Sequence, residues 1–381
     1  MTKPIYLDYN ATTPCDPRVV EAMLPYFTEI YGNPANGFHV LGRKAAQAVE
    51  NARQQVASLV DAQPFEIIFT SGATESNHLA ILGSATFAPV ERRKVITCSI
   101  EHKAVLAPCK KLEQQGFEVV VLPVDKNGVV SLADLENALD SNTFLVSIQA
   151  ANNEIGTLQS IESITDLAHS YGALVHTDAA QAAGKIPCSV LKWKIDLLSL
   201  SAHKMYGPKG IGALYIRGGK KLIPLQPLIL GGGQEKGLRS GTSNVPAIVG
   251  FGTACEIAAM EMPDEQRRLQ ALRDELEQEL QRVVPMIKIN AQGAPRLPNT
   301  INFTIEGVEA DSLLLRLPSL MMSVGSACAS GAPEPSHVLQ AIGLTRDQAR
   351  CSARISLGRM NSSADIPFIV HQIKDAVKSL L

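Results

Sequence analysis

Between residues 66 and 177 apolar runs alternate with helical segments, and this alternation constrains the fold more than any other feature of the chain. Strand-like residues 66–69 precede a helix from Thr74, and residues 94–98 precede a helix that ends at Gly116. Residues 119–123 follow, then a helix opened by the capping box Ser131-Leu132-Ala133-Asp134, residues 144–149, a helix over 160–171, and residues 173–177. Such alternation predicts βα crossovers and a mainly parallel sheet with both faces covered. Asp16-Pro17 predicts a capped helix start and Gly32 its end, with Gly32-Asn33-Pro34 breaking the chain before a helical stretch over 41–60.

The pattern changes after about Cys255. Residues 263–284 carry Leu269, Leu272, Leu276, Leu280 and Val283 at three- and four-residue spacing, which predicts a charged amphipathic helix beginning at Pro263. Short strands at 288–291 and 300–305 and a last amphipathic helix over 363–381 complete a smaller α+β unit. With 381 residues the chain exceeds one typical domain. The reading is a large α/β domain over 16–258 and a small domain formed by 1–15 and 259–381.

A net charge of −2 leaves no electrostatic footprint for nucleic acid or an anionic membrane. The start, MTKPIYLDYNATTP, lacks the apolar core of a secretory signal, and no uninterrupted apolar run is long enough to span a bilayer. A cytoplasmic location is expected. The seven cysteines are scattered without a CxxC pair, which argues against a disulfide framework and a structural zinc site.

The chemistry centres on Ser199 to Gly212, SLSAHKMYGPKGIG. Apolar residues 195–200 end at Ser201, and His203, Lys204 and the Gly207-Pro208-Lys209-Gly210 turn come before a second apolar run over 211–216. A lysine on a short loop between buried strands can be desolvated, which disfavours its ammonium form and makes it a nucleophile for a carbonyl cofactor. A lysine by itself is usually solvated surface, so this reading needs support from elsewhere.

Three polar clusters supply it, each directly after a strand, where ligands sit in doubly wound sheets. Thr70-Ser71-Gly72-Ala73-Thr74-Glu75-Ser76-Asn77 offers small residues and free N–H groups at a helix start, suited to a phosphate or to plain capping. His176-Thr177-Asp178-Ala179-Ala180-Gln181 places an aspartate that can keep a pyridine nitrogen protonated. Asn152-Asn153-Glu154-Ile155-Gly156 offers side-chain amides, for a ring hydroxyl, a carboxylate or a turn.

In order along the chain, YLDYNATTP, YGNPAN, FTSGATESN, SIEHKAV, ANNEIGT, HTDAAQAAGK, SAHKMYGPKG, RSGTSNVP, SVGSACASG and ISLGR resemble the cysteine desulfurases. The resemblance is to the NifS/IscS-like branch, which serves nitrogenase and general iron–sulfur cluster assembly, within the fold-type-I pyridoxal-phosphate enzymes. It implies a seven-stranded large-domain sheet, pyridoxal 5'-phosphate as cofactor and L-cysteine as substrate. By that resemblance Lys204 forms the Schiff base with the cofactor and shuttles the α-proton. Asp178 pairs with the ring nitrogen, and Gln181 and Asn153 lie near the ring hydroxyl and the substrate. His102 stacks on the ring, while Ala73, Thr74, Ser201 and His203 hold the phosphate. Thr242 reaches the phosphate of the partner subunit in a homodimer, and Arg354 clamps the substrate carboxylate.

By the same resemblance Cys328, in a run of small residues with little to anchor it, takes the sulfur as a persulfide and passes it to an acceptor or iron–sulfur scaffold protein. Two departures from the family stand out. Ala35-Asn36-Gly37-Phe38 occupies a loop where small serines are common, and the chain ends at Leu381, where longer relatives carry a scaffold-docking extension. Two other readings compete. An aminotransferase or selenocysteine lyase would share Lys204 and Asp178, and a catalytically silent homologue would show damage at Lys204, Asp178 or Cys328.

Overall fold

The computed structural model describes residues 4–324 and 335–381, so Cys328 lies outside the described residues. A short first strand, β1 (Ile5–Tyr6), precedes β2 (Ile67–Thr70), β3 (Lys94–Cys98), β4 (Glu118–Leu122), β5 (Thr143–Ser147), β6 (Leu174–Asp178), β7 (Leu197–Ser201) and β8 (Gly212–Ile216). Strands β2 to β8 form one seven-stranded sheet in the order β2-β8-β7-β6-β5-β3-β4. β8 pairs antiparallel with both neighbours, and every other pairing in this sheet is parallel. The expected α/β architecture is therefore the one the chain adopts. Strands β3, β5, β7 and β8 are buried along their whole length, as strands covered by helices on both faces must be.

Polar residues finish several of these strands, Thr70, Asp178 and Ser201 among them. Thr70 and Asp178 read from sequence as loop residues, yet each is the last residue of its strand, as Ser201 is of its own, and Asp178 pairs with Ser199. Their polar side chains are carried on hydrogen-bonded backbone, not on loops.

A second layer contains β9 (Ile287–Ile289), β10 (Thr300–Ile305), β11 (Leu320–Met321) and β12 (Ser352–Ser356). β10 lies between β9 and β12 with antiparallel pairing, and β1 runs parallel to β11. Leu7, Ile301, Phe303, Leu320 and Ile355 share one core with Ile369 and Ile373 of the helix Ile366–Leu380. The amino terminus thus packs with the last hundred or so residues.

Two helices differ from the sequence reading. The helix expected to begin at Pro263 is the second half of a 39-residue helix, Val245–Val283. An interior proline forfeits one backbone hydrogen bond. Phe251 and Cys255 bury in the core around the large sheet, while Leu269, Leu272, Leu276 and Leu280 bury in the second core, and that burial outweighs the lost bond. By length and composition this helix could cross a membrane, but here its apolar residues fill these two cores. The first helix stops early, at Met23, and a short turn Pro25–Thr28 follows, because Pro25 has no N–H to continue the ladder. Gly32 is not the cap of that helix. A Cβ there would lie 2.4 Å from the backbone carbon of Leu41, so glycine is required for close approach.

Candidate active site

Residues following the carboxyl ends of β2, β3, β5, β6 and β7 meet at one cavity of about 470 Å³. Ala73, Thr74, His102, Asn153, Asp178, Gln181, Ser201, His203, Lys204 and Arg354 all line it. Ten of the positions named from sequence are thus brought together by the topology alone.

Lys204 ends a 3-10 turn, Ala202–Lys204, that leaves β7 directly. The turn closes on itself through bonds from the N–H groups of Met205 and Gly207 to the Ala202 carbonyl. A Cβ at Gly207 would lie 2.9 Å from that carbonyl oxygen. Lys204 Nζ donates to the carbonyl oxygens of Asn10 at 2.6 Å and Ala11 at 2.8 Å. Tyr206, two residues on, sits at φ 64°, a left-handed conformation unusual for a residue with a side chain. Its N–H donates to Thr13 Oγ1 at 2.9 Å and its carbonyl accepts from the Asp16 N–H at 2.9 Å, which hold the strained backbone in place.

Asp178 is nearly buried, and both carboxyl oxygens accept hydrogen bonds. Asn77 Nδ2 donates to Oδ2 at 2.7 Å and the Ala180 N–H donates to Oδ1 at 2.9 Å. Gly72, at φ 152°, precedes the helix Ala73–His78, and a Cβ there would meet nothing within 4 Å. A Cβ on Gly212 would lie 2.6 Å from Gly72 Cα, so β8 carries glycine where the turn after β2 presses on it. Glu75 folds that turn by accepting from the Ser71 N–H at 2.8 Å.

His102 caps the helix Lys103–Glu113, with Nδ1 accepting from the Ala104 N–H at 3.1 Å. That bond leaves Nε2 as the protonated nitrogen of the neutral ring. Burial pulls the His102 pKa below its usual value, against the pull of Asp178 in the other direction. Behind it Glu101 is wholly buried, its Oε1 accepting from the Gln149 N–H at 2.7 Å and the Cys98 thiol at 3.1 Å. Burial raises the Glu101 carboxyl to about 8. His203 bonds Thr12 Oγ1 through Nδ1 at 3.1 Å, and burial, then the neighbouring lysines, bring it down to about 4.

Arg354 comes from β12 of the second layer and is 1% exposed. Nη1 donates to the Asn153 carbonyl at 2.9 Å and Nη2 to Asp8 Oδ1 at 2.5 Å. Nε is buried without a hydrogen-bond partner among the described residues, as is Asn77 Oδ1, and both residues line the cavity. Thr242 is exposed and does not line this cavity.

The sequence reading gave no role to Asn10, Asn77 or Gln149, all of which line the cavity. Asn10 is 1% exposed and accepts through its carbonyl from both Gln181 Nε2 and Lys204 Nζ. Its presence within YLDYNATTP, and that of Asn77 within FTSGATESN, was the available signal.

Residues 5–368 match the family described as Aminotransferase class-V. A human cysteine desulfurase is 47% identical over 378 residues, covering 99% of this chain and 82% of that protein. The cysteine desulfurase IscS of Rickettsia akari is 46% identical over 380 residues, covering all of this chain and 92% of its own. Among solved structures, a NifS-like protein superposes with a TM-score of 0.91 at 41% identity, covering 99% of this chain and 100% of that one.

Proposed function

This chain belongs to the class-V aminotransferase family, in its cysteine desulfurase branch, and we propose that it converts L-cysteine to L-alanine with pyridoxal 5'-phosphate, leaving the sulfur on Cys328. The observation that carries this reading is the meeting of Lys204, Asp178, His102 and Arg354 around one cavity.

The residues present fit the cofactor. The cavity volume lies in the range of small-molecule sites, about 300–1,000 Å³. Gly72 leaves open space beside the first turn of the helix at Ala73, where N–H groups suit a phosphate. Asp178, fixed by Asn77 and the Ala180 N–H, offers a carboxylate to a pyridinium, and Ser201 and His203 line the same cavity and would help to hold the phosphate. When bound, the cofactor supplies an aldehyde that condenses with amines and a ring that withdraws electrons.

The chain's own groups then divide the work. Lys204 Nζ contributes the amine and carries the α-proton, and its contact with the Asn10 and Ala11 carbonyls defines where it rests. His102 covers one side of the cavity, where its neutral ring can move a proton through Nε2. Arg354 binds the substrate carboxylate with the Nη N–H groups that Asn153 and Asp8 leave over. Gln181 and Asn153 set the orientation of the ring hydroxyl and the substrate.

The thiolate of Cys328 attacks the substrate sulfur. The carbon–sulfur bond of cysteine breaks, a sulfur–sulfur bond forms, and the balance is L-cysteine plus Cys328 thiol to L-alanine plus Cys328 persulfide. Supporting this, the chain on either side of that segment is tied to the cavity. Ser323 exchanges backbone bonds with Arg354, Ser336 Oγ donates to Glu154 at 2.5 Å, and His337 Nε2 bonds the Glu101 carbonyl at 3.0 Å. Cys328 itself lies outside the described residues, five positions along the chain from Ser323. A homodimer in which the exposed Thr242 reaches the partner's phosphate, and transfer of sulfur to an iron–sulfur scaffold or other acceptor, belong to the same proposal.

The test is to mix purified protein with L-cysteine, without reductant, and examine peptides by mass spectrometry. One added sulfur on Cys328 with alanine released supports the reading. A cofactor-loaded protein that gains no sulfur overturns it in favour of an aminotransferase or selenocysteine lyase.

A further inference from the structure

Lys185 does not line the cavity itself but bonds two residues that do, and it has no ion-pair partner among the described residues, which is unusual for a half-buried lysine. Its amine donates to Gln181 Oε1 at 2.7 Å and to Asn10 Oδ1 at 3.2 Å. At the other end of the same amide, Gln181 Nε2 donates to the Asn10 carbonyl at 2.8 Å. Gln181 is 6% exposed and lines the cavity. Its amide is therefore held by a donor at the oxygen and by an obligate acceptor at the nitrogen. One Nε2 hydrogen remains for the cavity.

We propose that Lys185 is a positioning residue that keeps the N–H end of the Gln181 amide, not its carbonyl, presented to the cofactor. The inference rests on the reading that a pyridine cofactor places its ring hydroxyl beside Gln181. Without Lys185 the Gln181 oxygen would be buried and unpaired, an expensive state that the amide relieves by turning its oxygen toward the cavity or the Lys204 amine. The ring hydroxyl would then lose its donor, while the phosphate and ring-nitrogen contacts, which come from other strands, would stay.

The test uses the cofactor-free full chain and two probes, pyridoxal 5'-phosphate and its 3-deoxy analogue, which lacks the ring hydroxyl. The quantity read is the ratio of their dissociation constants at one pH. In the unaltered protein the hydroxyl should favour the natural cofactor by about five- to tenfold. In Lys185→Met the ratio should fall to about one to two, through weaker binding of pyridoxal phosphate and not of the analogue. Lys185→Arg, which keeps a donor, should retain most of the preference. Gln181→Leu should lose it.

A general structural role for Lys185 would weaken both probes together and leave the ratio unchanged, and that result overturns the proposal. A ratio near one in the unaltered protein would instead overturn the placement of the hydroxyl beside Gln181, and the inference with it. Lys185→Leu carries the same expectation as the methionine variant and replaces it if that variant does not fold.

Discussion

Arg354 and Asp8 stand 346 residues apart in the chain and meet at 2.5 Å inside the protein. The guanidinium has left water almost completely, while the Asp8 side chain keeps 17% of its exposure. Removing one partner of such a pair leaves an uncompensated charge in a poor solvent for it. Asp8→Asn should therefore lower the unfolding free energy by roughly 2–4 kcal/mol in urea titrations. Because Asp8 also fixes the direction of the guanidinium, KM for L-cysteine should rise about tenfold or more while kcat changes less. An unchanged KM would mean that Arg354 does not bind the substrate carboxylate.

His176 lies wholly buried between Ser147 Oγ at 2.8 Å and Ser199 Oγ at 3.0 Å, and burial lowers its pKa from 6.5 to about 4. The fold prefers the neutral ring, so its contribution is complete above pH 6.5 and is lost as pH falls toward 4. Each such group adds up to about 1.4 kcal/mol per pH unit to the slope of stability. His203 behaves alike. His176→Gln should reduce the slope between pH 6.5 and 4.5, measured by urea unfolding at several pH values, with His203 supplying the remainder.

Glu101 has the opposite sign. Its folded carboxyl, raised by burial from 4.5 to about 8, prefers to be protonated, so its contribution is complete below pH 4.5 and is lost as pH rises through 8. Glu101→Gln mimics the protonated form and cannot ionise. The variant should lose less stability than the unaltered protein between pH 5 and 8. Equal slopes would show that Glu101 is ionised in the fold.

The range of the contacts decides which parts of the fold and site were readable in sequence. Lys204, Asp178, His102 and Ala73 each follow an apolar run by one to a few residues, and in a parallel sheet those positions share one edge, so local pattern suffices. Asn10 and Asp8 act through partners far away in the chain, such as Lys204 at a separation of 194 residues, and no local periodicity encodes such meetings. Pro263 misled for a related reason. Its preference for a first helical turn is local, whereas the burial that carries the helix through it comes from two separate cores. Gly32 was legible as a special position but not as to cause, because the atom that excludes a side chain belongs to Leu41.

In the proposed reaction Lys204 supplies the amine on which cofactor retention depends. Lys204→Ala should bind pyridoxal phosphate without a covalent bond, so that borohydride treatment followed by denaturation retains none of it, whereas the unaltered protein retains about one equivalent per chain. Turnover of L-cysteine should fall by several orders of magnitude. A variant turning over at a near-normal rate would refute the role of this residue.

In the proposed reaction Cys328 separates the first half from the second. Every group proposed to bind and activate L-cysteine lies on the described cavity wall, and Cys328 is needed only once the substrate sulfur must leave carbon. Serine is nearly isosteric but a poor acceptor of sulfur, because an alkoxide is scarcely formed at neutral pH and an oxygen–sulfur product would be readily cleaved. Cys328→Ser should therefore bind L-cysteine with a dissociation constant within about threefold of normal and show the same absorbance change on mixing, while sulfide release with a reductant falls by at least about a hundredfold. The spectral change isolates substrate binding and the sulfide assay isolates transfer. If both are lost, the segment carrying Cys328 also shapes the substrate site. If sulfide release is unchanged, the nucleophile is another group, and among the described cysteines Cys15 and Cys351 are the two that are not buried.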